Sequence, residues 1–388
     1  MGERRGVVVL GATGSVGRST CNVLRRHADR FRVVGLSAGR QSDALDLLAT
    51  EFEPEFVVLA DSGQRREASW TGEWRYGAAA LIEAAADERA DIVVNALVGS
   101  AGLEATLSAL EAGKRLALAN KESLVAGGSL VVRAWRDGTG DILPVDSEHS
   151  AIHQCLAGRP SGEVRRLILT ASGGPFRQMP VGEFADIRCA DALVHPTWNM
   201  GSKITVDSAT LANKALEVIE AHLLFDIALG NIDVVVHPSS IVHSMVEFQD
   251  GSTMAQMGFP TMEIPILYAL SAPERLRNEF EPFDPVAAGP LEFETMRRAA
   301  FPMFDLGLTA ARIGGTAPAA YSAANEVAVQ AFLAGSLSFT GIPAVVESVL
   351  HSWDGGPADS VRTVVEADAE ARRRATEAAG NCPDRPGC

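Results

Sequence analysis

The chain has 388 residues, 47% of them hydrophobic and 21% charged, with a formal net charge of −15. That length calls for more than one domain, and that composition can bury a sizeable core. The acidic balance argues against a general binder of nucleic acid or anionic membrane, whose phosphate contacts need a basic surface, while a local basic pocket still suits a small anionic substrate.

The five cysteines (Cys21, Cys155, Cys189, Cys382 and Cys388) are odd in number and scattered, with no CxxC pair. They point to reduced thiols in a cytosol, not to a disulfide framework or structural zinc. The opening MGERRGVVVLGATG has too short an apolar run for a signal peptide, and Gly6 stands where a myristoylation signal needs Ser or Thr. No run approaches the roughly 18 apolar residues of a membrane span. A soluble, cytoplasmic protein is expected.

In chain order, GVVVL (6–10), FRVVGLS (31–37), FVVLA (56–60), DIVVNAL (91–97) and RLALA (115–119) read as buried strands. Amphipathic stretches such as Ser15 to Arg26 and Gly102 to Ala112 lie between them. The alternation predicts a parallel sheet with helices on both faces. RRLILTAS and IDVVVHPSS then read as strands around a strong helix, and IVHSMVEFQDGSTMAQMG as a hairpin on an Asp-Gly turn. The proline-bearing stretch from Ala272 to Pro290 reads as a linker, followed by helices to Ala379 and a disordered end. The expected division is a nucleotide-binding domain at 1–147, a catalytic domain at 148–275, a linker at 276–297, a helical domain at 298–380 and a tail at 381–388.

Gly11, Gly14 and Gly17 follow the first strand at the mouth of a helix, where a backbone can approach a pyrophosphate and free N–H groups face it. The spacing is GxxGxxG, not the commoner GxGxxG. After the second strand comes LSAGRQSDAL, with Arg40 among small polar residues and no acid before Asp43. An arginine there suits the 2′-phosphate of NADPH, where an NAD site usually has a carboxylate.

Asn120, Lys121 and Glu122 stand at the end of the fifth strand, where open α/β sheets bind ligands. In ILPVDSEHSAIHQ, Asp146 and Glu148 would share one face if the segment is extended. In VDSATLANKALEVIEAHLLF a single helix is expected, capped by Asp207 or Ser208. Asn213, Lys214 and Glu217 then share a face away from its apolar stripe. A hydroxyl at the helix mouth with an amide and an ammonium one turn in is a phosphate-binding arrangement. Asp146, Glu148 and Glu217 form a carboxylate set suited to Mg²⁺ or Mn²⁺, though spacing alone does not show that they converge. Trp198 and Met200 in HPTWNMGSK (195–203) sit on a loop that can close over a substrate, or can plug a core. Ser172 precedes two glycines in TASGGPF, a candidate anion nest.

The motifs GATGSVG, ALANKESLV, PVDSEHSAI, TASGGPF, HPTWNMGSKITVDSATLANKALEVIEA, HPSSIVHSMVEFQDGS and AANEVAV occur in one order from residue 7 to about 332. In this the chain resembles the 1-deoxy-D-xylulose 5-phosphate reductoisomerases. The resemblance implies a homodimer whose subunit has a Rossmann-like NADPH domain, an α+β catalytic domain and a C-terminal helical bundle. It implies a divalent metal on Asp146, Glu148 and Glu217, and substrate contacts from Lys121, Ser147, Ser172, His195, Trp198, Ser208, Asn213, Lys214 and Glu217. NADPH would meet Thr13, Gly14, Ser15, Val16, Gly39, Arg40, Gln41, Asn120, Glu122 and Gly201. Arg40 and Gln41 replace a commoner Lys-Asn, which keeps the charge for the 2′-phosphate.

His237 and His243 read as hydrogen-bonded sheet histidines, and Asn325 and Glu326 as polar groups of helix packing. Two rivals are an NADPH oxidoreductase of this architecture acting on another phosphorylated substrate, and a nucleotide sensor without turnover.

Overall fold

The structure is a computed structural model that describes all residues except 1–3, 62, 64–67, 157, 199, 281 and 383–388. The chain divides into two compact units. The first takes residues 1–123, 131–150 and 261–279, and the second takes 124–130, 151–260 and 280–388.

In the first unit seven strands form a sheet of order β4-β3-β2-β1-β5-β6-β7. The strands are β1 (Arg5–Leu10), β2 (Phe31–Ala38), β3 (Phe56–Leu59), β4 (Glu73–Tyr76), β5 (Ile92–Asn95), β6 (Arg115–Leu118) and β7 (Asp141–Pro144). Every pairing is parallel. The helices from α1 (Ser15–Arg26) through α2 (Ser42–Phe52), α3 (Ala78–Ala85) and α4 (Leu103–Glu111) alternate with these strands. Then come α5 (Lys121–Gly127), α6 (Ser129–Asp137) and α7 (Ser147–Leu156), of which residues 124–130 and 151–156 are counted with the second unit. Strand order reverses between β1 and β5, and the crevice outside such a switch point is where doubly wound sheets take ligands.

The sequence reading finds the central strands because they are buried on both faces, as Val7, Val8, Val9 and Leu10 are. It misses β4, an edge strand reading EWRY, because an edge needs no apolar run. Helix α1 buries Gly17, Thr20, Cys21 and Leu24 at helical spacing and ends on Arg25 and Arg26, which suit the negative end of its dipole. Gly17 is required: a Cβ there would lie 2.1 Å from the Gly11 carbonyl oxygen. Helix α11 (Glu263–Ser271), expected in the catalytic portion, belongs to this unit. It places Ile266, Leu267 and Leu270 in the nucleotide-domain core, and Glu263 pairs with Asn22 and Arg26 of α1.

The second unit holds a mixed sheet of order β11-β10-β8-β9-β12. Its strands are β8 (Val164–Ala171), β9 (Ile232–Val236), β10 (Val242–Phe248), β11 (Thr253–Met257) and the short β12 (Glu294–Thr295). The expected hairpin is β10–β11, antiparallel about Asp250 and Gly251. Between β8 and β9 run α8 (Cys189–Ala192), α9 (Ser202–Thr210) and α10 (Ala212–Phe225). After the one-turn α12 (Pro285–Ala288) come α13 (Pro302–Ile313), α14 (Ala317–Leu333), α15 (Gly341–His351) and α16 (Val361–Asn381).

These last helices share one core with α10 and β8, built around Tyr321, Phe176, Phe184, Phe332 and Phe339. The Ser360 hydroxyl caps α16 by accepting from the Thr363 amide at 3.2 Å. Asn381 closes α16, so the helix runs one residue into the expected tail, whose residues 383–388 lie outside the described ones. No helix among the described residues is long and apolar enough to cross a membrane.

Candidate active site

In the first unit the β1–α1 turn carries Thr13, Gly14, Ser15 and Val16, with Gly14 and Ser15 exposed. No side chain caps α1 at Gly14, so its N-terminal amides and positive dipole end are left for an anion. That is a fit for the pyrophosphate of a dinucleotide. Gly39, Arg40 and Gln41 follow β2 and are exposed. Arg40 pairs at 3.3 Å with Asp61, which lies beyond β3. Asn120 is buried, and its side chain is engaged internally. Its amide donates to the Leu97 and Gly99 carbonyls at 2.8 and 3.0 Å, and its oxygen accepts from the Ser123 amide at 3.1 Å. Asn120 thus shapes the loop after β5 with its side chain.

The segment 146–149 is not extended, and the shared-face reading of Asp146 and Glu148 is corrected accordingly. Strand β7 ends at Pro144, and Asp146 stands where the chain turns into α7. Its carbonyl accepts from the Ser150 amide at 2.8 Å and its Oδ1 from the Glu148 amide at 3.2 Å, the pattern of a helix N-cap. Ser147 and Glu148 are therefore first-turn residues, and the Ser147 hydroxyl donates to Glu148. Lys121, only 5% exposed, donates to Asp146 Oδ2 from the start of α5. His149, fully buried, lies with Nδ1 2.9 Å from Asp146 Oδ1. Burial alone would push the Asp146 carboxyl up, but the Lys121 charge and His149 outweigh it and hold it well below the usual range. Sequence reasoning passed over His149; its signal is the i, i+3 spacing from a helix cap, visible only once 147–156 is known to be helical.

In the second unit the expected single helix is two. α9 and α10 meet at Leu211, whose φ of 62° breaks the helical run. α9 starts at Ser202, so Asp207 and Ser208 lie within it and do not cap it. Asn213 and Lys214 occupy the first turn of α10. The three residues expected to share a face do so: Asn213 donates to one oxygen of Glu217 and Lys214 to the other. Lys214, 4% exposed, also donates to the Thr170 carbonyl near the end of β8. Glu217 is 1% exposed, a buried carboxylate with a hydrogen-bond donor on each oxygen.

β8 ends at Ala171 and is followed by Ser172-Gly173-Gly174, with both glycines at positive φ. A Cβ on Gly174 would sit 2.7 Å from the Ser208 carbonyl, so only glycine lets this turn approach α9 so closely. His195 Nε2 lies 3.0 Å from Ser172 Oγ and 3.1 Å from Ser208 Oγ. Its Nδ1 accepts from the Thr197 and Trp198 amides at 3.1 and 2.9 Å. Two donors on Nδ1 place the proton of the neutral ring on Nε2, which then donates to the two hydroxyls. Each serine keeps its own O–H for an incoming acceptor. Burial pushes the His195 pKa down to about 4, so the ring is uncharged at neutral pH.

Trp198 is half-buried with its ring 6.3 Å from that of His243, and Gly201 is exposed at the start of α9. His237 is buried, with Nδ1 2.7 Å from the Glu292 carbonyl and Nε2 3.0 Å from Ser239 Oγ.

Comparison with known proteins identifies the same kind of molecule along the whole chain. The profile of 1-deoxy-D-xylulose 5-phosphate reductoisomerase matches residues 7–128. Profiles of two C-terminal domains of that enzyme match 142–225 and 257–374. The chain is 49% identical to the 1-deoxy-D-xylulose 5-phosphate reductoisomerase of Ralstonia nicotianae, over 95% of this chain and 96% of that one. To the enzyme of Thermosynechococcus vestitus it is 46% identical, over 96% and 92%. The solved reductoisomerase of Zymomonas mobilis in complex with NADPH superposes with a TM-score of 0.92 at 41% identity, covering 98% of this chain and 100% of that one. A reductoisomerase in complex with NADPH, fosmidomycin and magnesium gives 0.91 at 40% identity, covering 97% and 98%.

Proposed function

The chain belongs to the 1-deoxy-D-xylulose 5-phosphate reductoisomerase family, and on that premise we propose which of its residues carry each part of the work. It is an oxidoreductase that rearranges 1-deoxy-D-xylulose 5-phosphate and reduces the product to 2-C-methyl-D-erythritol 4-phosphate, using NADPH and Mg²⁺ or Mn²⁺. The rivals, another phosphorylated substrate or a sensor without turnover, give way to identity of 49% across 95% of the chain.

Asp146, Glu148 and Glu217 are our assignment for the divalent ion, a hard-oxygen set that suits either metal. The observation that carries it is the state of Asp146, half-buried yet kept ionised by Lys121 and steered by His149. A metal ligand needs that orientation and that charge. When bound, the ion supplies a Lewis acid that polarises the substrate carbonyl and stabilises alkoxide charge. Lys121 lies against the same carboxylate and neutralises developing charge on the substrate or passes it a proton. Ser147, beside these carboxylates, takes a substrate hydroxyl.

Ser172, Ser208, Asn213 and Lys214 hold the substrate phosphate, with His195 donating into the serine pair and leaving their hydroxyl protons for phosphate oxygens. Because His195 is neutral, the positive charge in this grip comes from Lys214. Such remote binding orients the reacting carbons. Trp198 covers the substrate and keeps water from the aldehyde intermediate.

NADPH sits on Thr13, Gly14, Ser15 and Val16 with its pyrophosphate at α1. Gly39, Arg40 and Gln41 take the 2′-phosphate, and Asn120, Glu122 and Gly201 the nicotinamide end. Asp61 competes for Arg40 when the cofactor is absent. Arg40→Asp is expected to raise the KM for NADPH by about 10–100-fold, the worth of one charge-assisted contact, and to leave that for NADH within about threefold. Steady-state kinetics with both cofactors check this, and equal effects would remove Arg40 from the assignment.

We place the enzyme in the cytoplasm, in keeping with its free thiols, and as a homodimer through the edge strand β11, where Met254 and Met257 are exposed. Light scattering that returns a monomer mass would refute the dimer.

A further inference from the structure

Beneath the phosphate grip lies a buried polar link that the reaction scheme above does not use. Asp207, 1% exposed on α9, accepts from Asn325 Nδ2 of α14 at 2.8 Å, and its other oxygen pairs with Lys203 of its own helix at 2.8 Å. Asn325 is fully buried, and its Oδ1 has no hydrogen-bond partner among the described residues. A buried amide oxygen left unpaired is costly, and an apolar side chain would avoid it. What asparagine provides there is its N–H₂, aimed at Asp207. Tyr321, one turn earlier on α14, also feels the Asp207 charge and is anchored through its hydroxyl to the Met303 carbonyl at 2.9 Å.

The placement of this link gives it a consequence. α9 has two jobs in sequence: it starts at Gly201, where the Trp198 loop ends, and it presents Ser208 to His195. Asp207 is the residue before Ser208, so the side chains project about 100° apart around the helix axis. Clamping Asp207 to α14 fixes the rotation of α9 and with it the direction of the Ser208 hydroxyl. Lys203, in the first turn of α9, ties the same carboxylate to the end that follows the loop. Leu211 interrupts the run into α10, so α9 is set by its own packing, and the Asp207–Asn325 bond is the polar part of that packing.

We propose that Asn325 is a positioning residue for substrate phosphate binding, acting through Asp207 to set the rotation of α9 and so the aim of Ser208. This rests on the assignment of Ser208 to the phosphate grip, which the same experiment checks separately. Asn325→Leu, close in volume and lacking the N–H₂, is compared with Ser208→Ala and the parent holoenzyme. The measurements are KM for 1-deoxy-D-xylulose 5-phosphate, kcat, and the NADPH dissociation constant without substrate.

Asn325→Leu is expected to raise the substrate KM about tenfold or more, with NADPH affinity within about threefold and kcat at saturation reduced less than KM is raised. Asn325→Ser, which keeps a short donor, is expected to fall between parent and Asn325→Leu, and it carries the test if the leucine variant does not fold. A substrate KM within twofold of parent in both variants overturns the proposal, as does a parallel loss of NADPH affinity, which marks mere structural damage. If Ser208→Ala leaves the substrate KM unchanged, the phosphate assignment itself fails. If Ser208→Ala raises it and the Asn325 variants do not, only the positioning role fails.

Discussion

Glu148→Gln is expected to lower kcat for 1-deoxy-D-xylulose 5-phosphate by about 1000-fold and to leave NADPH affinity within about twofold of the parent. The size follows from the role: stabilising alkoxide charge by a metal ion is worth several kcal/mol, and each factor of ten in rate corresponds to about 1.4 kcal/mol. The amide is nearly isosteric, so the first turn of α7 survives, and the Glu148 backbone amide still bonds to Asp146. What is lost is one formal charge from the set that holds the ion. Raising Mg²⁺ recovers part of the rate if the variant only weakens metal binding. A fall in kcat below about tenfold would remove Glu148 from the ligand set. Isothermal titration with NADPH in the same variant checks that the nucleotide site is intact.

Lys214→Met carries the second large effect, and it has two parts. The ammonium of Lys214 bonds to the Thr170 carbonyl and to Glu217, both among side chains closed to water. Methionine fills the space and takes the ammonium away from Glu217, which keeps the Asn213 amide as a donor. Stranding a buried carboxylate this way destabilises by about 3–5 kcal/mol. The second unit is therefore expected to unfold at distinctly lower urea concentration without metal. Added Mg²⁺ recovers part of the loss, because a cation on Glu217 replaces the missing charge. Activity is expected to fall as well, with kcat/KM down about 100-fold or more from the loss of the cation we assign to the phosphate grip. Urea melts with and without Mg²⁺ measure the first part. Melts that metal does not shift would separate Glu217 from the ion.

What could be read from the residues follows from how each element is stabilised. The central strands of the first sheet are buried on both faces, so their sequences are nearly continuous apolar runs and their boundaries emerge within a residue or two. β4 is an edge strand with Glu73 exposed and Arg75 over the Phe56 ring, a pattern with no apolar signature. The break at Leu211 was hidden for a different reason. Apolar periodicity continues through it, and the left-handed conformation falls on a leucine where sequence reading looks for glycine. Asp207 and Ser208 moved from an expected cap into the body of α9 because that helix starts five residues earlier, at Ser202.

The site itself was legible where chemistry is concentrated in one short motif, as in Asn213, Lys214 and Glu217. It was illegible where partners come from distant chain, as with Asn325 and Asp207, and where a local pair depends on helical spacing, as with His149 and Asp146. The tautomer of His195 belongs to the same class, since it depends on the amides of Thr197 and Trp198 folding back onto the ring. Placing α11 in the first unit needed the fold too: its apolar face reads as core, but not as the core beside α1.

The most direct test of the central claim, that turnover depends on a divalent ion held by Asp146, Glu148 and Glu217, is one assay. Oxidation of NADPH is followed with 1-deoxy-D-xylulose 5-phosphate and Mg²⁺ or Mn²⁺, before and after a chelator, with parent and the three Asp→Asn or Glu→Gln variants side by side. The expected result is parent turnover that stops on chelation and returns with added metal, and three variants that bind NADPH but scarcely turn over. Turnover that persists in the chelator, or a variant among the three that retains the parent rate, would contradict it.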